Sequence, residues 1–136
     1  MTDNLENKIN GKIQLLIVDD DLILGRMSKR MIEECSNGKY EAHIAQDGKE
    51  AIEILKNHDY PLVITDWDML EVNGLNLYEW AKSNKKPLPQ FIFVSGDMTI
   101  YKQEILDRAK ILYLEKPFKA ESYLNLIEKV LREKPQ

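Results

Sequence analysis

Four short stretches gather the residues able to do chemistry: Asp19-Asp20-Asp21, Asp66-Trp67-Asp68, Ser95-Gly96 and Glu115-Lys116-Pro117. If Asp19, Asp20 and Asp66 share one crevice, they cannot all stay ionised unaided, because like charge pushes neighbouring carboxylate pKa values apart. They must share protons or bind a cation. Oxygen donors around an open, hydrated position suit Mg²⁺, which keeps several waters and takes only one or two carboxylates. No His or Cys lies in these stretches, which argues against zinc. Lys116 beside the acids is either a structural ion pair or a positive charge held for incoming phosphoryl oxygens, and Ser95 adds a hydroxyl. A carboxylate, a divalent cation, a lysine and a hydroxyl make a phosphoryl-transfer site. The carboxylate attacks in line to form an acyl phosphate, and the positive groups neutralise the equatorial oxygens.

These stretches must be brought together by the elements before them. Apolar runs at Ile13–Val18, Tyr40–Ala45, Leu62–Thr65, Phe91–Val94 and Ile111–Leu114 read as strands, and three are continuous rather than alternating, which suits parallel strands covered on both faces. Helical spacing appears between and after them: Leu24, Met27, Met31 and Cys35; Ala51, Ile52 and Leu55; Leu77, Trp80 and Ala81; Leu124, Ile127, Val130 and Leu131. Asn37-Gly38 can end the first helix, Asp47-Gly48 reads as a turn, and Pro87 and Pro89 keep residues 84–89 out of a helix. The expectation is one α/β domain over residues 12–133, built of five β–α units, after a flexible tail over residues 1–11. In such a doubly wound sheet with right-handed crossovers, the ligand site lies at the carboxyl ends of the strands. All four chemical stretches sit at predicted strand ends.

Composition narrows the classes further. The chain has 136 residues and a formal net charge of −4, with no basic surplus for a general nucleic-acid footprint. The local cluster Lys82, Lys85 and Lys86 reads as a solvated face. No apolar run is long enough for a membrane span, the polar start is no signal peptide, and the single cysteine, Cys35, excludes an internal disulfide. These features point to the cytoplasm, with neither nucleic acid nor membrane as partner. Cys35 is expected to fill the core, and His43 and His58 to be structural or surface residues. Asp21 is expected to cap a helix, Trp67 to shield the crevice rim in part, and the Asp68 side chain to face solvent at its mouth.

The segments LLIVDDD, LVITDWDM, FIFVSGD and YLEKPF resemble the receiver domain of two-component response regulators, a likeness that spans residues 13–132. The resemblance implies a five-stranded parallel sheet in the flavodoxin-like order 2-1-3-4-5, with helices on both faces. It implies Asp66 as phosphoacceptor, and Asp19 and Asp20 as the acidic pair positioning Mg²⁺ (or Mn²⁺), with the backbone carbonyl of Asp68. Ser95 and Lys116 match the phosphoryl-binding hydroxyl and lysine, and Tyr113 the aromatic whose rotation reports phosphorylation. Pro117 matches a cis peptide, and Gly74 the glycine opening the third helix. Implied partners are a histidine kinase or phosphotransfer protein and a downstream protein target. Two positions depart from the pattern: Leu70 replaces a proline, and Ala109-Lys110 replaces Gly-Ala. Three other readings fit the residues less well. A haloacid-dehalogenase-like phosphatase, with Asp68 as general acid, would place its acidic pair late. A flavin-mononucleotide binder would not put three aspartates in its first loop. A pseudo-receiver used only for binding would not need the full chemical set.

Overall fold

The computed structural model describes residues 8–133. Six strands, β1 (Lys8–Ile9), β2 (Lys12–Val18), β3 (Tyr40–Ala45), β4 (Leu62–Asp66), β5 (Gln90–Ser95) and β6 (Leu112–Glu115), form one sheet. Helices α1 (Leu22–Cys35), α2 (Gly48–Asn57), α3 (Gly74–Asn84), α4 (Ile100–Arg108) and α5 (Ala120–Arg132) connect or follow them. Strands β2 to β6 are parallel in the order β3-β2-β4-β5-β6. Counting the five parallel strands alone, this is the expected 2-1-3-4-5 order.

The addition is β1. Lys8 and Ile9 pair antiparallel with Ile13 and Lys12, across a turn in which Asn10 and Gly11 both have positive φ. The expected tail over residues 1–11 therefore reaches the sheet at its end; residues 1–7 lie outside the described residues. A two-residue strand carries too little periodicity to be read from sequence.

Alternation along the parallel strands divides the core into two layers. Leu16, Val18, Val63 and Phe93 point to the α2–α3–α4 side, where Leu55, Leu77 and Leu106 meet them. Leu15, Ile17, Ile64 and Ile92 point to the α1–α5 side, against Ile32, Tyr123 and Ile127. With both faces covered, continuous apolar runs are what such strands need. Each fully buried Leu or Ile contributes about 1.5–3 kcal/mol.

α1 corrects the sequence reading. Its expected apolar face of Leu24, Met27, Met31 and Cys35 is turned largely outward: Leu24, Met27 and Cys35 are exposed and Met31 is half-buried. The inner face is Gly25, Ser28, Lys29 and Ile32. Three contacts select it. A Cβ on Gly25 would sit 3.4 Å from the Ile44 side chain, the Ser28 hydroxyl lies 2.6 Å from the Tyr123 hydroxyl, and Lys29 and Glu33 bond the backbone of Ala42. Cys35 is thus a surface thiol, not core filling.

Candidate functional site

The carboxyl ends of the strands do converge. Asp66, the last residue of β4, and Asp19, one residue past β2, are both buried. Lys116 follows β6 and is pinned there by a bond from its backbone N–H to the Ser95 carbonyl (2.8 Å). Its ammonium donates to Asp66 Oδ2 at 2.7 Å and lies 3.5 Å from Asp19 Oδ2. Backbone donors complete the two acids: Asp21 N–H to Asp19 Oδ1 (2.9 Å) and Asp68 N–H to Asp66 Oδ1 (3.2 Å).

Burial raises the Asp19 pKa, helped by the charge of Asp66 and opposed by the Asp21 N–H and Lys116. Burial alone would lower that of Lys116, but its hydrogen bond to Asp66 and the charges of Asp66 and Asp19 more than offset this, so it rises. The lysine is therefore held charged against two acids, the electrostatic state a phosphoryl site requires.

Close backbone approach shapes the floor. The Gly74 N–H bonds the Trp67 carbonyl at 3.0 Å. A Cβ on Gly74 would meet the Asp66 carbonyl oxygen at 2.5 Å and the Phe93 ring at 2.8 Å, so α3 can begin here only with glycine. Asn73, the N-cap, and Asn76, in the first turn, form a reciprocal capping box at the start of α3. Asp21 caps α1, accepting from the Leu24 N–H, as read from sequence. The Lys116–Pro117 peptide is cis, as the resemblance implies.

A second cluster lies alongside, and its centre was not foreseen. Lys102 of α4 is buried, and its ammonium reaches Asp68 Oδ2 (2.8 Å), Ser95 Oγ (3.1 Å) and the Asp97 carbonyl (2.8 Å). It also lies 5.7 Å from the centre of the Trp67 ring. Ser95 is fully buried; its hydroxyl meets Asp68 Oδ2 and the Asp97 carbonyl, each at 3.1 Å, and accepts from the Asp97 N–H. Asp68 is largely exposed, as expected, yet it is tied to Lys102 and Ser95 rather than free. That tie is unfavourable to the phosphatase reading, which needs Asp68 as a mobile proton donor.

Other expected residues fall further out. Asp20 is exposed, beyond the pair bridged by Lys116. Trp67 is not at the rim: it is buried, 5.5 Å from Phe93 between ring centres. Tyr113 is half-buried on β6, with its hydroxyl 3.2 Å from Asp107 Oδ1 of α4. Among the described residues no three acidic, His or Cys side chains form a ready cage for a metal. Mg²⁺ does not need one, since one or two carboxylates and waters suffice. The donors fit it: Asp19 and Asp66 are all-oxygen and already gather around a cation, the Lys116 ammonium.

Comparison with known proteins decides the family. The model of the response regulator receiver domain matches residues 15–128. The chain belongs to the response regulator receiver family. This receiver is 30% identical over 120 residues to the response regulator MprA of Mycobacterium sp. (strain KMS), covering 88% of the chain and 51% of that protein. It thus spans about half the length of the curated relatives it matches first. It is 27% identical to the chemotaxis protein CheY-3 of Vibrio cholerae, covering 93% of the receiver and 97% of that protein. Among solved structures, a CheY-like receiver domain protein from Methanospirillum hungatei superposes with a TM-score of 0.77 at 26% identity, over 88% of this chain and 93% of that one. Its family places the receiver among two-component signalling domains, and among the described residues no helix is long and apolar enough to cross a membrane.

Proposed function

We propose that this receiver, with residues 12–133 as its functional unit, accepts a phosphoryl group on Asp66 from a phosphohistidine donor, a histidine kinase or phosphotransfer protein. The observation that carries the reading is the Lys116 ammonium 2.7 Å from Asp66 Oδ2, with Asp19 beside it. The Asp66 carboxylate attacks phosphorus, the new P–O bond forms as the donor's P–N bond breaks, and the imidazole nitrogen keeps the electron pair. Water later attacks phosphorus and breaks the P–O bond, restoring the carboxylate and leaving inorganic phosphate with both hydrogens of the water. The receiver itself promotes both steps: Lys116 holds charge for the equatorial oxygens, and Ser95 supplies a hydroxyl. Asp19, Asp20, Asp66 and the Asp68 carbonyl would hold Mg²⁺, or Mn²⁺ in its place. When bound, the metal supplies positive charge to the phosphoryl oxygens. Free, exposed Cys35 fits a reducing cytoplasm.

Output follows from the same residues. Ser95 turns to the phosphoryl group and Tyr113 turns inward, altering the surface of α4, β6 and α5, where Tyr101, Glu104, Lys119 and Glu121 are exposed. A downstream protein reads that surface through a population shift. The test is acetyl phosphate with Mg²⁺, followed by intact mass. One hydroxylamine-labile phosphoryl group is expected, absent in Asp66→Asn; a stable adduct on Ser95 would overturn the reading. With beryllofluoride, an acyl-phosphate mimic, amide shifts should extend from Ser95 and Tyr113 into residues 99–125. Shifts confined to the surroundings of Asp66 would leave a phosphate shuttle.

A further inference from the structure

The charge on Lys102 has no task in the chemistry above, yet its surroundings are built. An ammonium has three donors, and all three are used, on Asp68 Oδ2, Ser95 Oγ and the Asp97 carbonyl. The side chain keeps only 11% of its surface exposed, whereas its anionic partner Asp68 keeps 62%. A buried cation held by a solvated anion is poised for exchange: the carboxylate can leave into water at small cost, but the cation cannot. Ser95 is equally committed, since its hydroxyl is spent on the same Asp68 oxygen, Asp97 and Lys102. It cannot bond a phosphoryl group on Asp66 without leaving them.

We propose that the Asp68 carboxylate is a placeholder anion, occupying in the unphosphorylated protein the lysine and serine that a phosphoryl group on Asp66 takes over. Lys102 is then a second phosphoryl-facing cation, carried by α4, and Asp68 is the group it releases. The backbone already links the two aspartates, because the Asp68 N–H bonds Asp66 Oδ1. Charge on Asp66 and the position of the Asp68 side chain are therefore coupled at a separation of two residues. Since Lys102 lies one helical turn from Leu106, the one apolar residue α4 buries fully, re-aiming the ammonium pulls on the seat of α4. The proposal rests on Asp66 being the phosphoryl acceptor.

A double-mutant cycle tests it, with beryllofluoride and Mg²⁺ as probe and Trp67 fluorescence as readout. Asp68→Asn should tighten binding of the mimic and Lys102→Met weaken it, each by about three- to tenfold, the span of a coupling of about 1 kcal/mol. The decisive quantity is the effect of Asp68→Asn in the Lys102→Met background, because a placeholder acts through its lysine. Loss of most of the gain supports the exchange. An undiminished gain overturns it, since Asp68 would then only repel the incoming anion through space. Lys102→Gln replaces Lys102→Met if the latter does not fold, as judged by far-ultraviolet circular dichroism. The Lys102 side-chain ¹⁵N resonance of the wild-type receiver is a separate readout: it should move on saturation with the mimic, while that of Lys29 stays fixed. A static Lys102 resonance overturns the exchange. Wild-type protein that takes no phosphoryl group from acetyl phosphate fails the acceptor reading, and the exchange with it. Phosphorylation at Asp66 with an additive cycle fails the exchange alone.

Discussion

Two lysines face the same crevice for different reasons. Lys116 is placed by backbone, through the Ser95 carbonyl, and its ammonium donates directly to Asp66. Lys116→Ala removes the positive charge nearest Asp66 and should slow phosphorylation by acetyl phosphate by about a hundredfold, measured as the rate of mass gain, while the fold is retained. A rate within a factor of about two of wild type would remove Lys116 from the chemistry. Lys116 was legible in the sequence because it ends an apolar run. Lys102 was not, because a lysine on a helix reads as a solvated residue. The signal was present in spacing: Thr99 caps α4, and Lys102 precedes Leu106 by four, which puts it on the core-facing side. Another lysine records a conformational cost. Lys110, where receivers often have Ala of Gly-Ala, adopts φ 59°, a left-handed state that only glycine reaches freely. Lys110→Gly should stabilise the fold by about 0.5–1 kcal/mol in urea unfolding; a destabilisation would mean that the lysine side chain contributes more than its strain costs.

At the scale of elements, the five parallel strands were legible, and the two-residue β1 and the facing of the first helix were not. Continuous apolar runs ending in acids fix both the strands and the site end of the sheet. The pattern of α1 misled because apolar spacing normally marks the inner face, whereas here the inner face is chosen by a close approach and by polar ties to an edge strand. Among the described residues β3 pairs only with β2, and Ala42 on it receives Lys29 at its carbonyl and Glu33 at its N–H, so α1 protects that edge. Glu33 has its pKa lowered: burial would raise it, but Lys29 and the Ala42 N–H outweigh burial. A depressed folded-state pKa contributes stability that is full above the unfolded value and is lost as pH falls through the folded one. Glu33→Gln should therefore cost about 1 kcal/mol at pH 7 and flatten the loss of stability below the ordinary glutamate value of 4.5. Urea midpoints measured from pH 7 to pH 3 check this. Parallel curves for mutant and wild type would mean that the pair is not coupled to folding.

Across the whole molecule the helices are not equally anchored. α5 buries Tyr123, Ile127 and Val130, and α2 buries Gly48, Ala51 and Leu55, whereas the buried residues of α4 are Lys102 and Leu106. Its further polar tethers are Tyr113 to Asp107 and the Gln103 amide to the Met98 carbonyl. A helix held mainly by charge and hydrogen bonds opens at lower cost than one held by apolar contact, because water can replace the former and not the latter. The amide protons of residues 103–108 should therefore exchange with deuterium faster than those of α5, through an opening that leaves the sheet intact. Added salt should quicken that opening by screening the Lys102–Asp68 attraction. Equal protection in α4 and α5 would contradict this ranking. Under the proposed exchange the consequence concerns time rather than shape: a partner waiting for α4 to loosen would be gated by how often the Lys102 ammonium lets go, and the tempo of the signal would follow the lifetime of that ion pair.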